Sequence, residues 1–162
     1  MPEQETLERA EQDKREGKAA STQAGEFVHE EIEHVRKGKH GARSTKQAIA
    51  IGLSKARRAG VKLPASGTAS PATRRKARAD SAAATKHRKP SRKRQRATLG
   101  ALQREGSAAA SHLALSRHAH SAARQRSASD RSAAARKAAR TKGRAGRQAS
   151  AKKAARTRRA AR

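Results

Sequence analysis

Apolar residues fall at helical spacing in two adjacent blocks near the N-terminus, and almost nowhere else. In the first, Ala24, Val28, Ile32 and Val35 recur at i, i+4, i+8 and i+11, with Phe27 beside them. That stripe predicts a helix over Thr22–Lys37, capped by Ser21 or Thr22 and stopped by Gly38. Its opposite face holds Glu26, Glu30, Glu31 and Glu33, an expected acidic surface. In the second block Ile49, Gly52, Leu53 and Ala56 fall at i, i+3, i+4 and i+7. Ser44 or Thr45 can cap this helix, and Gly60 can close it in the left-handed conformation. The connection from Gly38 to Arg43 has the length that joins antiparallel helices. The pattern predicts a helical hairpin with Phe27, Val28, Ile32 and Val35 packed on Ile49, Leu53 and Ala56, closed by Val61 and Leu63. Ahead of it, Pro2–Glu16 predicts a charged, solvated, fraying helix whose apolar side is only Leu7 and Ala10.

Beyond Leu63 the pattern fades. Pro64–Ser70 followed by Pro71 is a linker by composition, and the later leucines are Leu99, Leu102, Leu113 and Leu115. The expected organisation is therefore a helix over 1–20, a hairpin over 21–63, a linker over 64–72 and a basic low-complexity tail over 73–162. Composition sharpens the last item. Leu, Ile, Val and Phe make up 14 of 162 residues, whereas 39 are alanine. Alanine buries little area, and at about 25 cal/mol per Å2 it does not offset an ordering cost of roughly 1–2 kcal/mol per residue. The expected class is all-α, a small hairpin with a largely disordered tail of transient helices. A core this small expects support from a homodimer through the hairpin, or from a ligand.

Charge divides the chain at the same place. Residues 1–40 hold 10 acids and 7 bases; residues 41–162 hold 3 acids and 34 bases, a net of +31. A polycation of this density needs a polyanion. Phosphate neutralisation is the chemistry that fits, and 31 charges match on the order of 50 Å of duplex DNA. The candidate binding residues are Lys46, Lys55, Arg57 and Arg58 in the hairpin. In the tail they are Arg74, Arg75, Lys76, Arg78, Lys86, Arg88, Lys89, Arg92, Lys93, Arg94 and Arg96, then Arg136, Lys137, Arg140, Lys142, Lys152, Lys153, Arg156, Arg158 and Arg159. Base readout needs a positioned helix, and single-strand readout usually needs stacking aromatics. Phe27 is the one aromatic and belongs to the hairpin, so binding without sequence preference is expected, to DNA before RNA. A rival reading makes 45–59 a recognition helix with Gln47 facing adenine. Others are an RNA- or ribosome-associated protein, or an adaptor whose hairpin binds a protein.

Other chemistries find little support. There is no cysteine for a disulfide or thiolate site. Seven histidines are scattered, and the closest set, His112, His118 and His120, has arginines for neighbours and no acid cluster, so no metal and no cofactor are expected. No nucleophile–base set or glycine-rich phosphate loop can be assembled, which argues against an enzyme. No apolar run approaches the roughly 20 residues that cross a bilayer. A cytoplasmic, nucleoid-associated protein is the expectation.

The segments STQAGEFVHEEIEHVRKGKHG and KGKHGARSTKQAIAIGLSKARRAGVKLP resemble a family of small Lys/Arg-rich bacterial proteins carried as a domain of unknown function, loosely labelled DNA-binding or plasmid-stabilisation proteins. The likeness covers roughly residues 1–63 and is carried by Lys46, Gln47, Ala48, Ile49, Ala50, Ile51, Leu53, Ser54, Ala56 and Arg57. It brings no active site with it. The last thirty residues are similar in composition to linker-histone tails and bacterial histone-like proteins, which implies binding and condensation of nucleic acid.

Overall fold

A computed structural model describes residues 2–67, 69–86 and 91–160, and among these the regular structure is helical. Seven α-helices follow in order: α1 Gln4–Arg15, α2 Ala20–Arg36, α3 Thr45–Arg58, α4 Pro71–Lys86, α5 Arg92–Gln103, α6 His112–Arg124 and α7 Ala128–Ala160; a short 3₁₀ turn, Ala108–Ala110, precedes α6. Two compact units divide the chain, Met1–His118 and Ala119–Arg162.

Helix punctuation in the first unit is chemical and local. Ser44 caps α3, its Oγ accepting from the Gln47 N–H at 3.2 Å. The first three helices end alike, on Gly17, Gly38 and Gly60 with φ of 69°, 70° and 96°. At each, the glycine N–H donates to the carbonyl three residues back, and the next N–H to the carbonyl five back, as Val61 does to Ala56 at 3.0 Å. This paired bonding satisfies carbonyls the last turn would otherwise leave open, and it needs the left-handed glycine. Helix α2 starts at Ala20, ahead of the expected Ser21/Thr22 cap, and no side chain caps it; packing of Ala20 and Ala24 holds its first turn.

The hairpin forms, and its seam is built from small residues. The buried positions of α3 are Thr45, Ala48, Gly52 and Ala56, while Ile49 and Leu53 are half-buried at the margin. Helix α2 contributes Ala24, Phe27, Ile32 and Val35, with Val28 half-buried. The backbones meet at Gly52, where a β-carbon would stand 2.7 Å from the Val28 Cα. One half of the core joins Phe27, Ala24, Ala56 and Val61 to Ala10 of α1, flanked by Leu7, Leu53 and Leu63. Helix α1, expected to be solvated, thus buries Thr6, Ala10 and Asp13. The other half joins Ile32, Val35, Ala42 and Ala48 to Ala109 and Ala110, with Val28 and Leu115 against it.

That last pairing carries the unit well past residue 63. The 3₁₀ turn packs at the connected end of the hairpin, where α2 passes into α3, and four hydrogen bonds strap the distant segment down. Gly41 N–H donates to Leu102 C=O at 2.9 Å and Ala42 N–H to Gly106 C=O at 3.1 Å; Thr45 Oγ1 donates to Ala109 C=O at 2.6 Å and Arg36 Nε to Ala110 C=O at 2.9 Å. Helix α4 docks on α3 through Ala77 and Asp80, one turn apart and both buried.

The expected disordered tail is therefore corrected: the described residues after 70 form the well-defined helices α4 to α7. The composition argument weighed core burial against ordering entropy, but α7 has no buried residue and relies on local terms. Twelve of its 33 residues are alanine, the strongest helix former. Its start is capped by a side chain, with Ser127 Oγ accepting from Asp130 N–H at 3.0 Å and donating to the Asp130 carboxylate at 2.7 Å. Its two helical stretches meet at Gly143, whose φ of 61° and ψ of −175° are non-helical.

Candidate nucleic-acid interface

The bases of the chain divide by whether an acid is within reach. In α3 three of the four have internal partners. Lys55 turns inward onto Glu30 at 2.9 Å and Glu31 at 2.8 Å. Burial pushes the Lys55 ammonium down, but hydrogen bonds to the two carboxylates outweigh it and leave it above its ordinary value. Arg57 Nε donates to the Leu63 carbonyl at 2.9 Å. Arg58 meets Asp80, as does Lys76 from α4, each at 2.9 Å. Lys46 is exposed, and among the described residues it is the α3 base with no such partner. Gln47, the residue a recognition helix would turn toward a base, accepts the Arg43 N–H at its Oε1, 2.8 Å away.

Asp80 makes this division intelligible. It is one of the three acids after residue 40, and it is buried between α3 and α4, where Ser54 Oγ also donates to it at 2.7 Å. Burial raises its carboxyl, but bonds from Lys76, Ser54 and Arg58 outweigh this and hold it below the usual range. Of the other two, Asp130 bonds Ser127 at the start of α7, and Glu105 gives its backbone carbonyl to the crowded approach at Gly41. Among the described residues, the other bases of α4, α5 and α7 meet no acid.

Those bases are exposed and helically spaced. On α4, Arg75 and Arg78 face solvent; Arg74 does too, bonding the Gly67 carbonyl. On α5, Arg92, Lys93, Arg94 and Arg96 are exposed. Arg92, Lys93 and Arg96, with Ala97, Gly100 and Arg104, line a shallow groove of about 540 Å3. Its residues recur at intervals of four, so one edge of α5 is a row of guanidinium groups with a dip at Gly100. On α7, Arg136, Lys137, Arg140, Lys142, Lys152, Lys153, Arg156, Arg158 and Arg159 are all exposed. Arg88 and Lys89 lie outside the described residues, as does the side chain of Lys86.

Four members of this basic set were missed in sequence. Arg104 completes the α5 groove, and Arg131, Arg144 and Arg147 belong to α7. They stand alone in the sequence, and only a helical period, not a search for adjacent bases, would have gathered them. The structure also brings together two of the scattered histidines, His34 and His40, beside Glu31.

Residues 15–66 match a family of unknown function (DUF6496), a span that runs from the end of α1 through α3 and covers about a third of the chain. The hairpin is thus similar to a domain of unknown function. No curated protein and no solved structure matches the chain. Among the described residues, no helix is long and apolar enough to cross a membrane.

Proposed function

We propose that this protein binds nucleic acid, duplex DNA first, through the phosphate backbone and without sequence preference, using the exposed bases of α4, α5 and α7. The observation that carries the reading is α7. It bears twelve Lys and Arg against one Asp, all twelve are exposed, and none meets an acid among the described residues. At 1.5 Å per residue its contour is about 50 Å. A duplex of that length carries roughly 29 charges, so a net of +11 would neutralise over a third of them. Duplex phosphates relieve the repulsion among these bases by releasing counterions. The hairpin is the structured anchor of this function rather than its reading head, since three of the four α3 bases, and Gln47, are engaged internally. The function is histone-like in its chemistry, charge against phosphate, and carries a nucleoid location with it.

The test is fluorescence anisotropy of the full-length chain with labelled duplexes of unrelated sequence and with a structured RNA, over a salt series. The reading expects equal affinity across duplexes and log K falling by about 0.9 per phosphate contacted for each unit of log salt. Changing Arg136, Lys137, Arg140 and Lys142 to Gln should flatten that slope by up to about 3.6. A salt-independent affinity overturns the proposal, and tighter binding to RNA at every salt replaces its DNA partner.

A further inference from the structure

His34 stands one helical turn after Glu31 on α2, and His40 enters from the α2–α3 connection. One ligand atom from each of the three lies within 4.8 Å of the others. We propose that Glu31, His34 and His40 form a binding site for a divalent transition-metal ion of the zinc kind, with water in the fourth position.

The first support is the state of Glu31. Its side chain is wholly buried, and Oε1 accepts no hydrogen bond. Lys55 offers its charge to Oε2 at 2.8 Å, while Oε1 faces His40 Nε2 at 3.4 Å. A buried carboxylate oxygen left without a hydrogen bond is costly.

The second support is the orientation of the imidazoles. His40 Nδ1 lies 3.1 Å from the Gly41 carbonyl. A carbonyl only accepts, so Nδ1 carries the proton and in the neutral ring Nε2 keeps its lone pair, aimed at Glu31 Oε1. Two acceptors then face each other with no proton between them, and a cation removes the conflict. Their 3.4 Å separation matches the edge of a tetrahedron with metal bonds of about 2.0–2.1 Å. His34 Nε2 lies 2.9 Å from Glu3 Oε1, so by the same logic Nδ1 keeps the lone pair of the neutral ring, with Glu30 Oε1 3.9 Å away. An imidazole with one N–H fixed by a carbonyl or carboxylate is the usual second-sphere arrangement of a metal-bound histidine.

The surrounding charge admits a cation. Glu3, Glu30 and Glu31 stand against Lys39 and Lys55. Lys55 engages Oε2, so Glu31 has Oε1 to offer and ligates through one oxygen. Two imidazoles and one carboxylate suit zinc and its neighbours better than Mg2+ or Ca2+, which prefer all-oxygen shells. His34 and His40, 12% and 10% exposed, form the entrance.

The experiment is calorimetric titration of the full-length protein with Zn2+ alone, paired with the visible spectrum of the Co2+ complex. The proposal expects one site per chain, an intense tetrahedral Co2+ spectrum, and affinity reduced by about tenfold or more in His34→Gln and in His40→Gln. Changing His112, His118 and His120 together to Gln should leave the site intact. Circular dichroism of the metal-free variants must match the parent chain for the comparison to count; the Co2+ spectrum of the parent chain needs no variant. No saturable site, an octahedral Co2+ spectrum, folded His34 and His40 variants that bind as tightly as the parent, or loss of the site with the three later histidines each overturns it.

Discussion

Gly52 of α3 and Val28 of α2 approach so closely that a β-carbon on Gly52 would lie 2.7 Å from the Val28 Cα and 2.9 Å from the Phe27 carbonyl oxygen. Both obstacles include backbone, so neither can swing aside. Gly52→Ala gains up to about 1 kcal/mol of helix propensity, yet should still lower stability by about 1–3 kcal/mol because the helices must separate. Urea denaturation of the full chain measures the difference.

Gly41 is tighter still, with a built β-carbon only 1.8 Å from the Glu105 carbonyl oxygen. Gly41→Ala should therefore detach the 102–110 segment while leaving α2 and α3 folded. Amide hydrogen exchange would show Ala42 losing protection as its bond to Gly106 breaks, with the amides of central α2 little changed.

Docking of α4 should depend on acid pH. The folded carboxyl of Asp80 titrates below its unfolded value, which lies near 3.9. Its contribution is then complete above about pH 4 and is lost as pH falls through the lower, folded value. Amides of α4 should lose protection in that acid range, and Asp80→Asn should remove the pH dependence along with about 1–3 kcal/mol of docking.

Lys55 is the counter-charge of a buried carboxylate. Lys55→Met should cost about 3–5 kcal/mol, because Glu31 is left buried and uncompensated. Adding Glu31→Leu should recover a good part of that loss, as apolar replacement of a buried pair often does. Chemical denaturation of the single and double variants gives both numbers.

At the start of α7, Ser127→Ala removes the acceptor for the Asp130 N–H. A loss of about 1 kcal/mol at that end is expected, read as reduced helicity by circular dichroism. Further along α7, changing the exposed Ser132 to Ala should not have this effect.

What could be read from residues alone follows from which forces are local. Ser44 and the glycines at 17, 38 and 60 act on their own helix ends, so the boundaries of the hairpin were legible. The seam was harder. A pattern search weights Ile49 and Leu53, whereas close approach selects Thr45, Ala48, Gly52 and Ala56, a neighbouring face chosen for smallness. Glu30 and Glu31 read as part of a solvent-facing acidic surface, because burial of a carboxylate depends on a lysine 24 or 25 residues away. The strap through Gly41 depends on backbone atoms, which carry no residue code at all. The tail misled for the opposite reason: α7, its longest helix, buries nothing, so an argument from core area was silent about it. His34 and His40 looked scattered because the turn at Gly38 is what folds one toward the other.

The bond from Thr45 to the Ala109 carbonyl spans 64 residues, and that distance has a consequence in time. At a ribosomal rate of about 5–20 residues per second, roughly 3–13 s separate synthesis of the hairpin from synthesis of its lid. During that interval the nascent hairpin has Ala42, Ala48, Ile32 and Val35 open on one side. The uncovered patch is small and mostly alanine, a composition that limits sticking to neighbouring chains while the rest of the protein is still being made.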